Sequence, residues 1–163
     1  MRLLALDTST HCGWSLWDGR PPKPYQFGTW HAPSAMAGNY GRRFKAFHDF
    51  LCDMITVHEP SALAFESPLT GGPHMNTTED ILRLLIGLAS VAELVAELRG
   101  LQCFEVHGTK VKMALTGSGR IPSKDKPRVM IAAAHSQGYM IADDHQADSV
   151  GVALEVYASL ADA

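Results

Sequence analysis

Cysteine is scarce in this chain: Cys12, Cys52 and Cys103 are the three in 163 residues, widely spaced and without a CxxC pair. An odd, scattered set excludes a disulfide framework and predicts core thiols in a reducing compartment, the cytoplasm. A long apolar run is also missing. The longest uncharged stretch of the most apolar segment is 84–92. That is far short of the roughly 20 residues a membrane span requires, so a buried helix and no membrane partner are expected. Before Asp7 stand only Leu3-Leu4-Ala5-Leu6, too few for the apolar region of an export signal. Internal repeats are absent, and a composition of 46% apolar and 19% charged residues lacks the polarity of a disordered chain. The net charge of -3 excludes a uniformly basic nucleic-acid binder while leaving room for local patches. Length and composition together predict one folded domain, 1–163.

What is present is an ordered series of short apolar runs and amphipathic stretches. Residues 2–7 and 13–17 read as a β-hairpin broken by Thr8-Ser9-Thr10, and 25–31 as a third strand after the prolines at 21, 22 and 24. Over 39–58 the spacing of Tyr40, Phe44, Phe47, Phe50, Leu51, Met54 and Ile55 is that of a helix. A short strand over 61–66 ends on Glu66. The next helix runs from a Thr77 or Thr78 cap to about Arg99, stopped by Gly100. A strand over 101–106 and helices over 109–115, 124–137 and 144–160 complete the chain. Three antiparallel strands followed by alternating helix and strand predict an α/β fold, a mixed five-stranded sheet flanked by helices.

The chemistry concentrates at the ends of these elements. Asp7 and Glu66 each close an apolar strand, where open α/β sheets place their sites. Asp7 alone could cap the turn with Thr8 and Ser9, and Glu66 alone could be a surface acid. His145 and Asp148 stand three apart at the start of the last helix and share a face, although either could serve as a cap. Taken together, two strand-end acids plus an acid and an imidazole on one helical turn form a set that can hold hard divalent ions against a phosphodiester. Asp144 is a fallback acid.

A second feature is a local charge reversal. Between Gly108 and Arg128 there are six cations, Lys110, Lys112, Arg120, Lys124, Lys126 and Arg128, against one acid, Asp125. Such a segment is either a solvated basic face or a loop and helix end gripping phosphate, and the interspersed glycines favour DNA contact. Arg42, Arg43 and Lys45 extend the track. Trp14, Trp17, Phe44, Phe47 and Phe50 read as core, and His11, His74 and His107 show no ligand spacing.

In series these motifs resemble the RuvC family of Holliday-junction resolvases across nearly the whole chain. Leu4-Ala5-Leu6-Asp7-Thr8-Ser9 with Gly13-Trp14-Ser15-Leu16 is similar to that family's opening hairpin, and Ala64-Phe65-Glu66-Ser67 to its second acidic motif. Val111-Lys112 with Gly117, Gly119 and Lys124 is similar to its basic segment, and 145–153 to its C-terminal acidic motif. The resemblance implies an RNase H-like fold and a crossover junction endodeoxyribonuclease. It implies Asp7, Glu66, His145 and Asp148 as the catalytic and metal-binding set, with Mg²⁺, or Mn²⁺ as substitute, as a pair of ions. It also implies branched DNA as substrate and a homodimer, for which the apolar helix around 84–92 offers a surface. Leu69 stands where some resolvases carry an aromatic junction wedge. Two other readings are a catalytically silent RNase H-like DNA-binding protein and an actin or sugar-kinase type ATP-binding protein, the latter needing two such lobes.

Overall fold

The computed structural model describes residues 1–19, 23–34, 39–68 and 78–162. They form the strands β1 (Arg2–Leu6), β2 (His11–Asp18), β3 (Lys23–His31), β4 (Ala62–Glu66) and β5 (Gln102–Val106), and the helices α1 (Tyr40–His58), α2 (Glu79–Leu98), α3 (Gly108–Thr116), α4 (Lys126–Ser136) and α5 (Asp144–Ala161). Local chemistry sets the boundaries. Asn39, Thr78 and Asp143 accept hydrogen bonds from the backbone N–H groups of Arg42, Ile81 and Gln146 and so start α1, α2 and α5. After α3, Gly117 takes a left-handed conformation at φ 74° and returns its N–H to the Met113 carbonyl. The fourth helix begins at Lys126 rather than 124, because Pro122 accepts the N–H groups of Asp125 and Lys126 in a preceding turn.

The sheet order is β3-β2-β1-β4-β5. β1 pairs antiparallel with β2 and β2 with β3, while β1–β4 and β4–β5 are parallel, as the alternation of runs predicts. The chain thus departs from β1 toward one edge and returns through β4 on its other side. That makes the carboxyl ends of β1 and β4 a topological switch point, the place where open sheets leave a crevice.

Strand alternation gives the sheet two unlike faces. Leu4, Leu6, Leu16, Leu63 and Phe65 face α1 and α2 and pack on Phe47, Leu51, Leu84 and Leu88. Leu3, Ala5, Trp17, Ala62 and Ala64 face the other way, onto Ala147, Val150 and Val156 of α5 and on Val111 and Met130. Small residues on both sides let α5 come close: a Cβ on Gly13 would collide with the carbonyl of His145, and one on Gly151 would lie 2.7 Å from the carbonyl oxygen of Val111 in α3. Of the cysteines, Cys12 is buried but Cys103 is exposed. It lies on the edge strand β5, so the expectation of three core thiols is corrected. Helix α2 buries Leu84, Leu88, Ala92 and Val95 while leaving Ile81, Ile86, Leu94 and Leu98 in solvent. Among the described residues, no helix is long and apolar enough to cross a membrane.

Candidate active site

Period-two geometry brings the strand-end acids together. Leu3, Ala5 and, one step on, Asp7 share the α5 face, as do Ala62, Ala64 and Glu66. β1 and β4 run in parallel with Leu6 opposite Phe65, so Asp7 and Glu66 emerge side by side. The first turns of α5, held close by Gly13, deliver Asp148 between them. One oxygen from each of Asp7, Glu66 and Asp148 falls within 4.8 Å of the others. The strand ends are tied by Thr8, whose hydroxyl donates to the Glu66 carbonyl at 3.1 Å, and by the Asp7 N–H, which donates to the Gly13 carbonyl at 2.8 Å. Gly108, at the start of α3, leaves the space that the Glu66 carboxylate fills.

The electrostatics are those of crowded, buried carboxylates. Burial, with the charges of Asp148 and Asp7, pushes Glu66 up to about 8, against the pull of Lys126 and Lys112. Burial and Asp7 raise Asp148 to about 6, opposed by Lys126. Lys126 places its Nζ 2.7 Å from Asp148 Oδ2. Burial alone would lower its ammonium, but Asp148, Glu66 and Asp7 hold it at about 12. The second Asp148 oxygen, Oδ1, is buried with no hydrogen-bond partner among the described residues, an arrangement that costs free energy unless something fills it. An all-carboxylate donor set with one unsatisfied buried oxygen fits a hard divalent cation such as Mg²⁺ or Mn²⁺.

His145 reaches the cluster indirectly. Its Nδ1 lies 2.7 Å from Asp7 Oδ2, and that bond raises the imidazole above its usual value against the opposing effect of burial. Asp144 contributes charge to both His145 and Asp148 but no oxygen to the three-carboxylate group. Asp7, Ser9, Glu66, Pro68, Leu85 and Lys126 line an open cavity of about 150 Å³. A larger hollow of about 420 Å³ beside Tyr139 and Met140 has no carboxylate among the described residues that line it; donor chemistry, not size, marks the site.

The basic segment divides. Lys126 sits inside the acid cavity, and the charge of Lys112 is felt by Glu66. Lys110 instead pairs with Glu155 at 3.0 Å, on a separate surface hollow beside Phe104 and Val156. Arg120, Lys124 and Arg128 are exposed, with Arg128 3.9 Å from Asp125. Lys45 pairs with Asp49 at 2.6 Å, and Arg43 donates to the Pro33 carbonyl. Leu69, His74 and Thr77 lie outside the described residues. Spacing alone missed His11, whose ring stacks on His145 with centroids 5.7 Å apart. The usable signal was register, since His11 and Gly13 alternate along one strand.

Strand order and the acids at the switch point define an RNase H-like fold. Within that class, the backbone is similar to Thermus thermophilus RuvC, at 18% identity and a TM-score of 0.71, covering 99% of this chain and 97% of that one. It is equally similar to T. thermophilus RuvC in complex with Holliday junction substrate, at 16% identity and a TM-score of 0.72, covering 99% and 96%. The yeast mitochondrial Holliday junction resolvase Ydc2 follows at 12% identity and a TM-score of 0.58, covering 94% and 76%. No protein-family model and no curated protein sequence matches the chain.

Proposed function

We propose that this chain is a divalent-metal-dependent, structure-selective endonuclease that hydrolyses phosphodiesters in branched DNA, Holliday junctions above all. In this reading it is a single nuclease domain, acting in the cytoplasm as a homodimer. The observation that carries the proposal is the convergence of Asp7, Glu66 and Asp148 within 4.8 Å at the sheet's switch point, with Asp148 Oδ1 buried and without a hydrogen-bond partner among the described residues. The fold likeness to a RuvC solved with junction substrate supports the choice of DNA.

In the proposed site the three carboxylates would hold the metal, Mg²⁺ with Mn²⁺ as substitute, as a pair of ions. When bound, such ions supply water activation and charge stabilisation at the leaving oxygen. Lys126 lowers the repulsion that an entering phosphate meets from the acids. His145, hydrogen-bonded to Asp7, fixes that carboxylate and offers an imidazole for proton transfer. Lys112, Lys124, Arg120 and Arg128 track the DNA backbone, with Lys110 more distant through its pairing with Glu155. Leu69 would serve as an apolar wedge against unstacked bases.

Pairing of two chains would supply two sites for a two-fold junction. The exposed Ile81, Ile86, Leu94 and Leu98 of α2 favour that helix as the contact. Leu94→Asp with Leu98→Asp should therefore yield a monomer in sedimentation. The deciding experiment for the function is cleavage of labelled four-way, flap and linear DNA with Mg²⁺, Mn²⁺ or EDTA. Metal-dependent cutting of the four-way substrate is expected. Equal cutting of linear DNA would remove the selectivity, and no cutting under any metal would overturn the proposal.

A further inference from the structure

The residues that seat His145 come from β2 and β3, outside the acid cluster. His11 and Gly13 lie two apart on β2 and therefore share the face that carries Ser15 and Trp17 toward α5. His31 lies directly across from His11 in the β2–β3 ladder, and Thr29 directly across from Gly13. Thr29, Gly13 and His11 meet the first turn of α5, and His31 packs on His11. Thr29 donates to Asp143 Oδ2 at 2.6 Å and accepts from Gln146 Nε2 at 3.1 Å. Gly13 gives way to the His145 carbonyl. The His11 ring lies nearly parallel to the His145 ring, at 5.7 Å and 17°, and the His31 ring meets the far partner, His11, edge-on at 5.1 Å and 83°.

We propose that His11, braced by His31, is a positioning residue: by stacking on His145 it holds the ring so that Nδ1 stays on Asp7 Oδ2. The physical need is clear. His145 is only half-buried, and a half-exposed imidazole with a single ring hydrogen bond among the described residues has other staggered rotamers open to it. A flat ring lying nearly parallel and offset beside it narrows those alternatives and leaves the edge free to bond Asp7. Outer partners of this kind orient ligands without touching the reacting atoms, and their loss costs about 10- to 100-fold. The inference rests on the nuclease reading for its consequence but not for its geometry.

Two readouts separate these. In NMR of the metal-free full chain, His11→Ala should shift the His145 imidazole resonances, while His11→Phe, which keeps a flat ring but has no nitrogen, should leave them near wild type. In single-turnover cleavage of a four-way junction, His11→Ala should lower the rate about tenfold at unchanged junction affinity, and His11→Phe should restore most of it. His31→Ala should give a smaller loss in both. Unchanged His145 resonances in His11→Ala overturn the stacking role, as does a His11→Phe variant as defective as His11→Ala. If wild type cuts no DNA while the resonances behave as expected, the nuclease reading fails and the positioning role stands.

Discussion

The two faces of the sheet solve different problems with the same strands. Toward α1 and α2 the strands present Leu4, Leu6, Leu16, Leu63 and Phe65, large side chains that fill the space to a dry core. Toward α5 they present Leu3 and Trp17 at the end away from the acids but Ala5, Ala64 and Ser15 nearer to them, and α5 answers with Ala147, Gly151 and Ala153. Bulk keeps one pair of helices at a distance; smallness lets the other helix approach until its polar first turns reach the strand ends. Both sides of the layer carry a core, and in the proposed reading only the α5 side carries the chemistry as well. The separation is testable, since a substitution on one face should leave the property of the other intact.

The largest effect should come from the acids. Asp7→Asn keeps shape while removing one charge from the cluster, and should abolish junction cleavage with binding near wild type and no loss of thermal stability, since the charge it removes is one that raises Glu66 and Asp148. Its counterpart, Leu63→Ala, cuts a fully buried side chain on the dry face. That change should cost about 2–5 kcal/mol of stability while the folded fraction cuts normally. Paired denaturation and single-turnover measurements on both variants check this. Wild-type cleavage by Asp7→Asn would remove Asp7 from the site.

Next in size is a pair of glycines. An added methyl at Gly13 meets the backbone of His145, which cannot swing aside, whereas one at Gly87 in α2 meets the ring of Phe44, which can. Gly13→Ala should displace the start of α5 and with it His145 and Asp148. A misplacement on the order of 1 Å costs about 10²-fold in rate. Gly87→Ala should cost roughly 1–3 kcal/mol of stability by overpacking and little activity. Equal rate losses in the two variants would show that the faces are not separable.

Much of this division was legible in the residues themselves. The order of apolar runs predicts the mixed five-stranded sheet, and Asp7, Glu66 and Asp148, each at the end or start of such a run, are the acids that lie within 4.8 Å of one another. The positions that resisted were those where partners come from distant segments. Nothing near Lys126 in sequence shows that its ammonium would lie against Asp148, 22 residues on, so it reads as one more phosphate contact. Lys110 reads the same way, yet meets Glu155, 45 residues on. His11 has no spacing to any ligand and gains its meaning only from cross-strand register with His31 and from the approach of α5. Helix period and strand alternation are local; ion pairs and ring stacks depend on how close two layers come.

A third test concerns protons. Glu66 rises to about 8 in the folded chain from an ordinary 4.5, and Asp148 to about 6 from 3.8. A raised folded value means that the folded state holds the proton more tightly than the unfolded chain. The associated stability is therefore full below pH 4 to 4.5 and is lost as pH climbs through about 6 and then about 8. His145, also raised, acts in the same sense. Without metal, the melting temperature should fall between pH 5 and 8 by on the order of 5 °C, and Glu66→Gln should flatten much of that slope. Mg²⁺ added at pH 7 should release protons, read as buffer-dependent heats in calorimetry. The dry-face variant Leu63→Ala should keep the slope while lying lower throughout. A metal-free melting temperature that rises over this range would reverse the assignment of Glu66.

The smallest effect separates two lysines that stand two residues apart on α3. Lys112 is half-buried, and its charge lowers Glu66 across the acid cavity; Lys110 is exposed and committed to Glu155. DNA held at the acids would release a counterion for each phosphate that a lysine neutralises, so the slope of log affinity against log salt counts such contacts. Lys112→Ala should reduce that slope by about one unit, and Lys124→Ala, in the exposed turn leading to Lys126, should do the same. Lys110→Ala should leave it unchanged, because its charge is already matched by Glu155. Titration of four-way junction binding at several salt concentrations, in Ca²⁺ to suppress cutting, measures all three. A loss of slope in Lys110→Ala equal to that in Lys112→Ala would extend the DNA track past the acid cavity onto the surface hollow beside Phe104, and the basic segment would then act as one continuous face.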